Sequence, residues 1–173
     1  MAVPDCVDVD RHRDLEGRDA ERRSRWILLT LFCALPVVAL FNVFGQRPTT
    51  SQAAAPTATL KVFAPTHLRG GLLYMARFHI AARTDLKKAT LILSSGWAEG
   101  ITINTIEPSP IGEGSSNGKL VFQLGHIPAG NSHILFMEFQ VNPTNVGHRA
   151  QDVTLADGST ALITLHRNVT IYP

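Results

Sequence analysis

Hydrophobic and polar positions along this chain follow two different rhythms, and the change between them divides it. From Trp26 to Phe44 the apolar positions run together. WILLTLFCALPVVALFNVF holds nineteen residues, carries no formal charge, and has only Thr30 and Asn42 as clearly polar members. A helix of that length covers roughly 28 Å, close to the hydrocarbon thickness of a bilayer, so residues 26–44 are predicted to form a transmembrane helix. Beyond about residue 58 the apolar positions alternate instead. Leu72, Tyr74, Ala76, Phe78, Ile80 and Ala82 fall on one face, with Arg77, His79 and Arg83 on the other. A period of two marks a strand with one buried and one wet face. Leu120, Phe122 and Leu124 repeat the pattern, as do Leu135, Met137, Phe139 and Val141, with Glu138 and Gln140 opposite.

Shorter strands are predicted at Thr90–Ser94 and Ile101–Ile106, and Leu60 and Val62 begin the first one. Near the C-terminus QDVTL and ALITLHRNVTI flank Ala156-Asp157-Gly158-Ser159. Asp-Gly supplies the positive φ angles that a tight hairpin turn needs. Gly70-Gly71, Ser95-Gly96, Asn117-Gly118, Ala129-Gly130-Asn131 and Asn142-Pro143 punctuate the rest. Roughly eight strands and no convincing helix over residues 58–173 predict an all-β, antiparallel sandwich behind a single N-terminal transmembrane helix. Residues 45–57, GQRPTTSQAAAPT, have no periodicity and are expected to be a flexible tether reaching roughly 20 Å. Residues 1–25 are polar and charged, the composition of a tail that stays disordered until close to the membrane.

Charge sets the orientation. Arg22, Arg23 and Arg25 directly precede the apolar run, whereas only Arg47 lies close behind it. The positive-inside bias therefore places residues 1–25 in the cytoplasm and the sandwich outside the cell membrane. The rival is a cleaved signal peptide, since Ser51-Gln52-Ala53 and Ala53-Ala54-Ala55 resemble small-residue cleavage sites. Against it, the apolar run is longer than a usual signal core and the sites lie seven or more residues past Phe44. Both cysteines, Cys6 and Cys33, precede the outer domain, which must hold together without disulfides; roughly 115 residues suffice for that. The net charge of +2 is small and spread out, which argues against nucleic acid as a partner.

The stretch Leu124-Gly125-His126-Ile127-Pro128-Ala129-Gly130-Asn131-Ser132, followed by ILFMEFQVNPT, resembles a phrase common in Ig-like surface domains of exported bacterial proteins. YMARFHIAARTDLKKATLIL is similar to the second and third strands of conserved-repeat or CARDB-like modules of that kind. The chain has Arg83-Thr84-Asp85 where Asn-Thr-Gly often follows the second strand, and GWAEGITINTIEPSP has no counterpart. The resemblance covers about half of the outer domain. It implies an Ig-like fold and an exported location, and it carries over no functional residues.

Candidate chemistry is sparse. His67, His79, His126, His133, His148 and His166 lie outside the membrane, but none forms a His-x-His or His-x₃-His pair. His126 and His133 flank one turn and are the first suspects for a metal or ligand. Ser94-Ser95-Gly96 and Ser115-Ser116-Asn117-Gly118 have turn composition rather than that of a nucleophile site. Glu99, Glu107 and Glu113 stand among Gly and Pro, with nothing to set their separation as a catalytic pair. Asn168-Val169-Thr170 matches a glycosylation sequon inside a predicted strand. Trp97, in a Gly-rich loop, is either a lid over the sandwich end or a contact anchor. Ile134 and Phe136 point away from the face that holds Leu135 and Met137, so either that face is covered or it is an apolar patch for a partner. Pro36 and Asn42 are candidate contacts within the bilayer. The expectation is a non-catalytic, cofactor-free accessory or binding subunit that is anchored in the lipid bilayer and presents its sandwich to a membrane or envelope protein. The alternative is a periplasmic ligand- or metal-binding sensor.

Overall fold

The computed structural model describes residues 19–41 and 46–173. Expectations for residues 1–18 and for Asn42 lie outside them. The chain divides into two compact units, residues 1–43 and 44–173. In the first, α1 runs from Asp19 to Leu40, beginning seven residues before the expected Trp26. Ala20, Glu21 and the arginines are good helix formers, and Asp19 and Glu21 suit the positive end of the helix dipole. The helix is long and apolar enough to cross a membrane. It continues through Pro36, and none of its residues is buried. Thr30 satisfies its hydroxyl by donating to the Trp26 carbonyl at 2.8 Å, the usual solution for a polar side chain on an apolar helix.

The second unit is all β. In chain order its strands are β1 (Pro48–Ala54), β2 (Ala58–Pro65), β3 (His67–Arg69), β4 (Leu73–Ala82), β5 (Leu86–Leu93), β6 (Ile101–Glu107) and β7 (Gly112–Ser116). Then come β8 (Lys119–Ile127), β9 (Ser132–Val141), β10 (Gly147–Ala150), β11 (Val153–Asp157), β12 (Thr160–Leu165) and β13 (Asn168–Tyr172). Two five-stranded antiparallel sheets, ordered β1-β2-β4-β9-β6 and β12-β11-β5-β8-β7, form an Ig-like sandwich. Their inward faces share one core: Leu60, Phe78, Leu135 and Phe139 from the first sheet, Leu91, Leu93, Phe122 and Leu155 from the second. A third sheet, β10-β13-β3, includes a parallel pairing of β13 with β3.

The alternating patterns predict these faces correctly. On β4, Tyr74, Ala76, Phe78, Ile80 and Ala82 are buried, as are Leu135, Met137, Phe139 and Val141 on β9. Leu72 is the exception; it precedes β4 and is exposed. The Asp157-Gly158 turn joins β11 to β12 with Gly158 at φ +59°, the left-handed conformation expected there.

Two expectations need correction. Residues 48–54, read as part of a flexible tether, are β1, paired with β2 over seven positions from Pro48↔Pro65 to Ala54↔Thr59. PTTSQAA has little apolar bulk, but an edge strand needs only backbone pairing and small inward residues, here Ser51 and Ala53. ALITLHRNVTI, read as one strand, is two. Arg167 turns inward at the break and donates to the Ala64 carbonyl at 2.9 Å, and the chain passes from the second sheet into the third.

Candidate interaction surface

The outer face of the β2-β4-β9 sheet carries four of the exposed large apolar side chains of this unit, Leu73, Met75, Ile134 and Phe136; Leu72, Ile111, Val146 and Tyr172 are exposed elsewhere. Pairing runs Met75↔Glu138, Arg77↔Phe136 and His79↔Ile134 between β4 and β9. On the β2 side it runs Phe63↔Arg77 and Lys61↔His79, and on the β6 side Glu107↔Phe136. Odd positions of β4 and even positions of β9 therefore share the surface opposite the core. Met75 is 59% exposed, Leu73 51%, and Ile134 and Phe136 40% each, far above the near-zero values of their core-facing neighbours. The Arg77 guanidinium lies over the Phe63 ring at 5.1 Å, which covers that ring with a cation. A depression of about 290 Å³ opens among Thr50, Lys61, Phe63, Arg77, His79 and Ile134.

Ile134 and Phe136 thus stand where the alternation placed them, out of the core and side by side. Leu73, Met75, Phe63 and Arg77 complete the patch and were not singled out from the sequence. The signal was available, because Leu73 and Met75 occupy the odd positions of the same period-two strand that carries Arg77 and His79.

Trp97 does not belong to this surface, which corrects its reading as a contact anchor. It is fully buried on a short 3₁₀ turn, Ser95–Trp97, with its ring 5.4 Å from that of Phe78 and 5.3 Å from that of Phe139. Gly96 lets the turn approach so closely that a Cβ there would stand 2.2 Å from the Ala150 carbonyl oxygen. Arg167, itself almost fully buried, places its guanidinium 5.5 Å from the Trp97 ring centre. Gln151 donates its side-chain amide to the Tyr74 hydroxyl at 3.3 Å and its backbone N–H to the Arg167 carbonyl at 2.7 Å. Burial holds the Tyr74 hydroxyl well above the usual tyrosine range and lowers the Arg167 pKa. This cluster is part of the core rather than of the surface. Pro36 lies on α1 and is exposed among the described residues, and Asn42 lies outside them.

The two histidines suspected of metal binding are held apart by the topology. His126 is on β8 in the second sheet, where its Nε2 meets the Asp85 carboxylate at 2.6 Å. His133 is on β9 in the first sheet, on the core-facing side opposite Ile80. Its buried Nε2 has no partner, and burial lowers its pKa. Among the described residues no three His, Cys, Asp or Glu side chains group as a metal site would require. Glu107 and Glu113 stand on β6 and β7, at the edges of opposite sheets, and Glu99 lies 3.9 Å from Arg149. Asn168 of the sequon is exposed at the start of β13, while the Thr170 hydroxyl is engaged with His148 at 3.0 Å.

No family model matches the chain, and no curated protein does. Among solved structures it is similar to CaCohA2, a cohesin module from Clostridium acetobutylicum, at 16% identity and a TM-score of 0.47, covering 68% of this chain and 92% of that one. It is also similar to AvmM, which catalyses macrocyclisation in alchivemycin A biosynthesis, at 6% identity and 0.45, covering 75% and 90%. A third is the CARDB domain of a Pyrococcus furiosus protein in complex with di-metal ions, at 12% and 0.36, covering 73% and 96%. The first and third are Ig-like β-sandwich domains. Likeness at this level carries no functional residue over to this chain.

Proposed function

We propose that this chain is a single-pass membrane protein whose non-catalytic, extracytoplasmic sandwich docks a membrane or envelope protein through the outer face of the β2-β4-β9 sheet. One observation carries the reading. Large apolar side chains on adjacent strands remain exposed, although the opposite positions of the same strands are buried. Met75 and Phe136 are diagonal neighbours across β4 and β9, so the exposure is continuous rather than scattered, and continuous apolar surface marks contact sites. Residues 1–25 would face the cytoplasm, as the arginines before the apolar run require. Ile134 and Phe136 are the proposed outer contacts, and Pro36 and Asn42 the proposed contacts within the bilayer.

The test is purification of the full chain from its native membranes in mild detergent, beside the Phe136→Glu variant. A charge at that position leaves the core untouched and disrupts any apolar contact on the face. The variant is expected to lose the protein that accompanies the wild type while keeping its far-UV circular dichroism and melting temperature. Recovery of the same partner with both chains would exclude this face.

A further inference from the structure

The distribution of charge around the apolar patch narrows what can sit on it. This step rests on the reading that the face is the contact surface. Lys61 on β2 and Arg77 and His79 on β4 occupy one half of the sheet; Glu138 on β9 and Glu107 on β6 occupy the other. Among the described residues Lys61, Arg77, Glu107 and Glu138 make no ion pair within the chain. The face is thus basic on one side, acidic on the other and apolar between, with Arg77 lying over Phe63 and no ion pair among these four charges.

We infer that the occupant of this face is a second copy of the same chain, packed sheet to sheet about a twofold axis running along the strands between β4 and β9. Such an axis exchanges left and right while leaving position along the strands unchanged. It lays the β2-β4 half of one copy over the β9-β6 half of the other, so every basic region meets an acidic one. Arg77 lands over the second copy's Phe136, which has Glu138 two residues along β9 and Glu107 opposite it on β6. The alternative in-plane axis, perpendicular to the strands, sets basic on basic and is disfavoured.

The entry of the chain supplies a second, independent argument. β1 begins at Pro48, just after the segment that follows α1. An axis along the strands puts the start of β1 at the same end in both copies, so both anchors can enter one bilayer. The perpendicular axis sends the two starts to opposite ends. Confinement to one membrane also raises the effective concentration of the two domains, which favours a contact of modest area.

The experiment compares the full chain with three variants, Phe136→Glu, Arg77→Glu and the double charge exchange Arg77→Glu with Glu138→Arg, using native mass spectrometry of detergent-solubilised protein. The wild type is expected at twice the chain mass of 18.9 kDa. Phe136→Glu and Arg77→Glu should each shift it to a single mass, and the double exchange should restore the pair. A dimer that persists in all the variants would overturn the inference, since another face or the helix would then hold it. A wild type that is monomeric while Phe136→Glu still sheds a different envelope protein overturns self-pairing and leaves the docking face intact. A monomer whose retained partner ignores Phe136 overturns both.

Discussion

The difference between Trp97 and Phe136 shows how neighbours, rather than residue type, decide the role of an aromatic side chain. Trp97 has Gly96 before it and Ala98 after it, and that small-residue setting lets the 3₁₀ turn dip into the core between Phe78 and Phe139. The same setting in sequence reads equally well as an exposed loop, so its burial was not legible. Phe136 was legible, because it breaks an otherwise regular alternation. Trp97→Ala is expected to cost about 3–5 kcal/mol of stability, the range for emptying a buried aromatic site. Phe136→Ala should change stability by less than about 1 kcal/mol. Chemical denaturation of both variants checks this, and comparable losses would contradict the assignment. Tyr74 adds a pH dependence. Its folded-state pKa is raised by burial, so the folded state favours the neutral hydroxyl. Stability from that group is fully present below the unfolded tyrosine value of about 10 and is lost as pH rises past it. Tyr74→Phe should lose less stability than the wild type between pH 9 and pH 11, measured by thermal melts at each pH.

At the scale of elements, the strands that could be read were those that bury large residues at every second position. β4 and β9 do so for five and four positions, and the sequence pattern located both. β1 could not be read that way, since its inward positions Ser51 and Ala53 are small and its contribution is backbone pairing to β2. β7, Gly112–Ser116, is hidden by its Gly and Ser content, and β3 and β10 are too short for any period to show. The sheet edges fall into two kinds. β12 lies against β1 and β2 and closes one side of the sandwich. On the other, β6 and β7 leave a cleft of about 580 Å³. Both of those edges are guarded: β6 carries a bulge between Ile103 and Thr105, and Glu113 of β7 pairs with Phe122, whose side chain belongs to the core face. Recognition by strand addition is therefore disfavoured at these two edges. Removing residues 46–54 would expose the β2 edge instead. A loss of about 2–4 kcal/mol is expected from the seven lost pairings, with increased aggregation on heating. Calorimetry of a chain with that segment deleted checks it, and an unchanged melting temperature would return these residues to the role of tether.

For the molecule as a whole, β1 bears on whether the anchor stays attached. The small-residue sequences that resemble cleavage sites, Ser51-Gln52-Ala53 and Ala53-Ala54-Ala55, lie in or directly after β1. Cutting at either would separate from the sandwich the strand that covers β2, at the stability cost argued above. The use of residues 48–54 as an edge strand is the reason we propose a chain kept whole, with α1 as a permanent anchor rather than a signal to be removed. Orientation can then be measured with the native cysteines, because Cys6 and Cys33 are the only two and neither lies in the sandwich. With the arginine-flanked end in the cytoplasm, a membrane-impermeant maleimide applied to intact cells should label neither. Permeabilisation should expose Cys6, while Cys33 stays protected within the apolar run. Labelling of Cys6 on intact cells would reverse the topology, and with it the side on which any partner of the sandwich must be sought. A mature chain that begins after Ala53 or Ala55 would mean that the domain folds without β1 and that the apolar helix serves export alone.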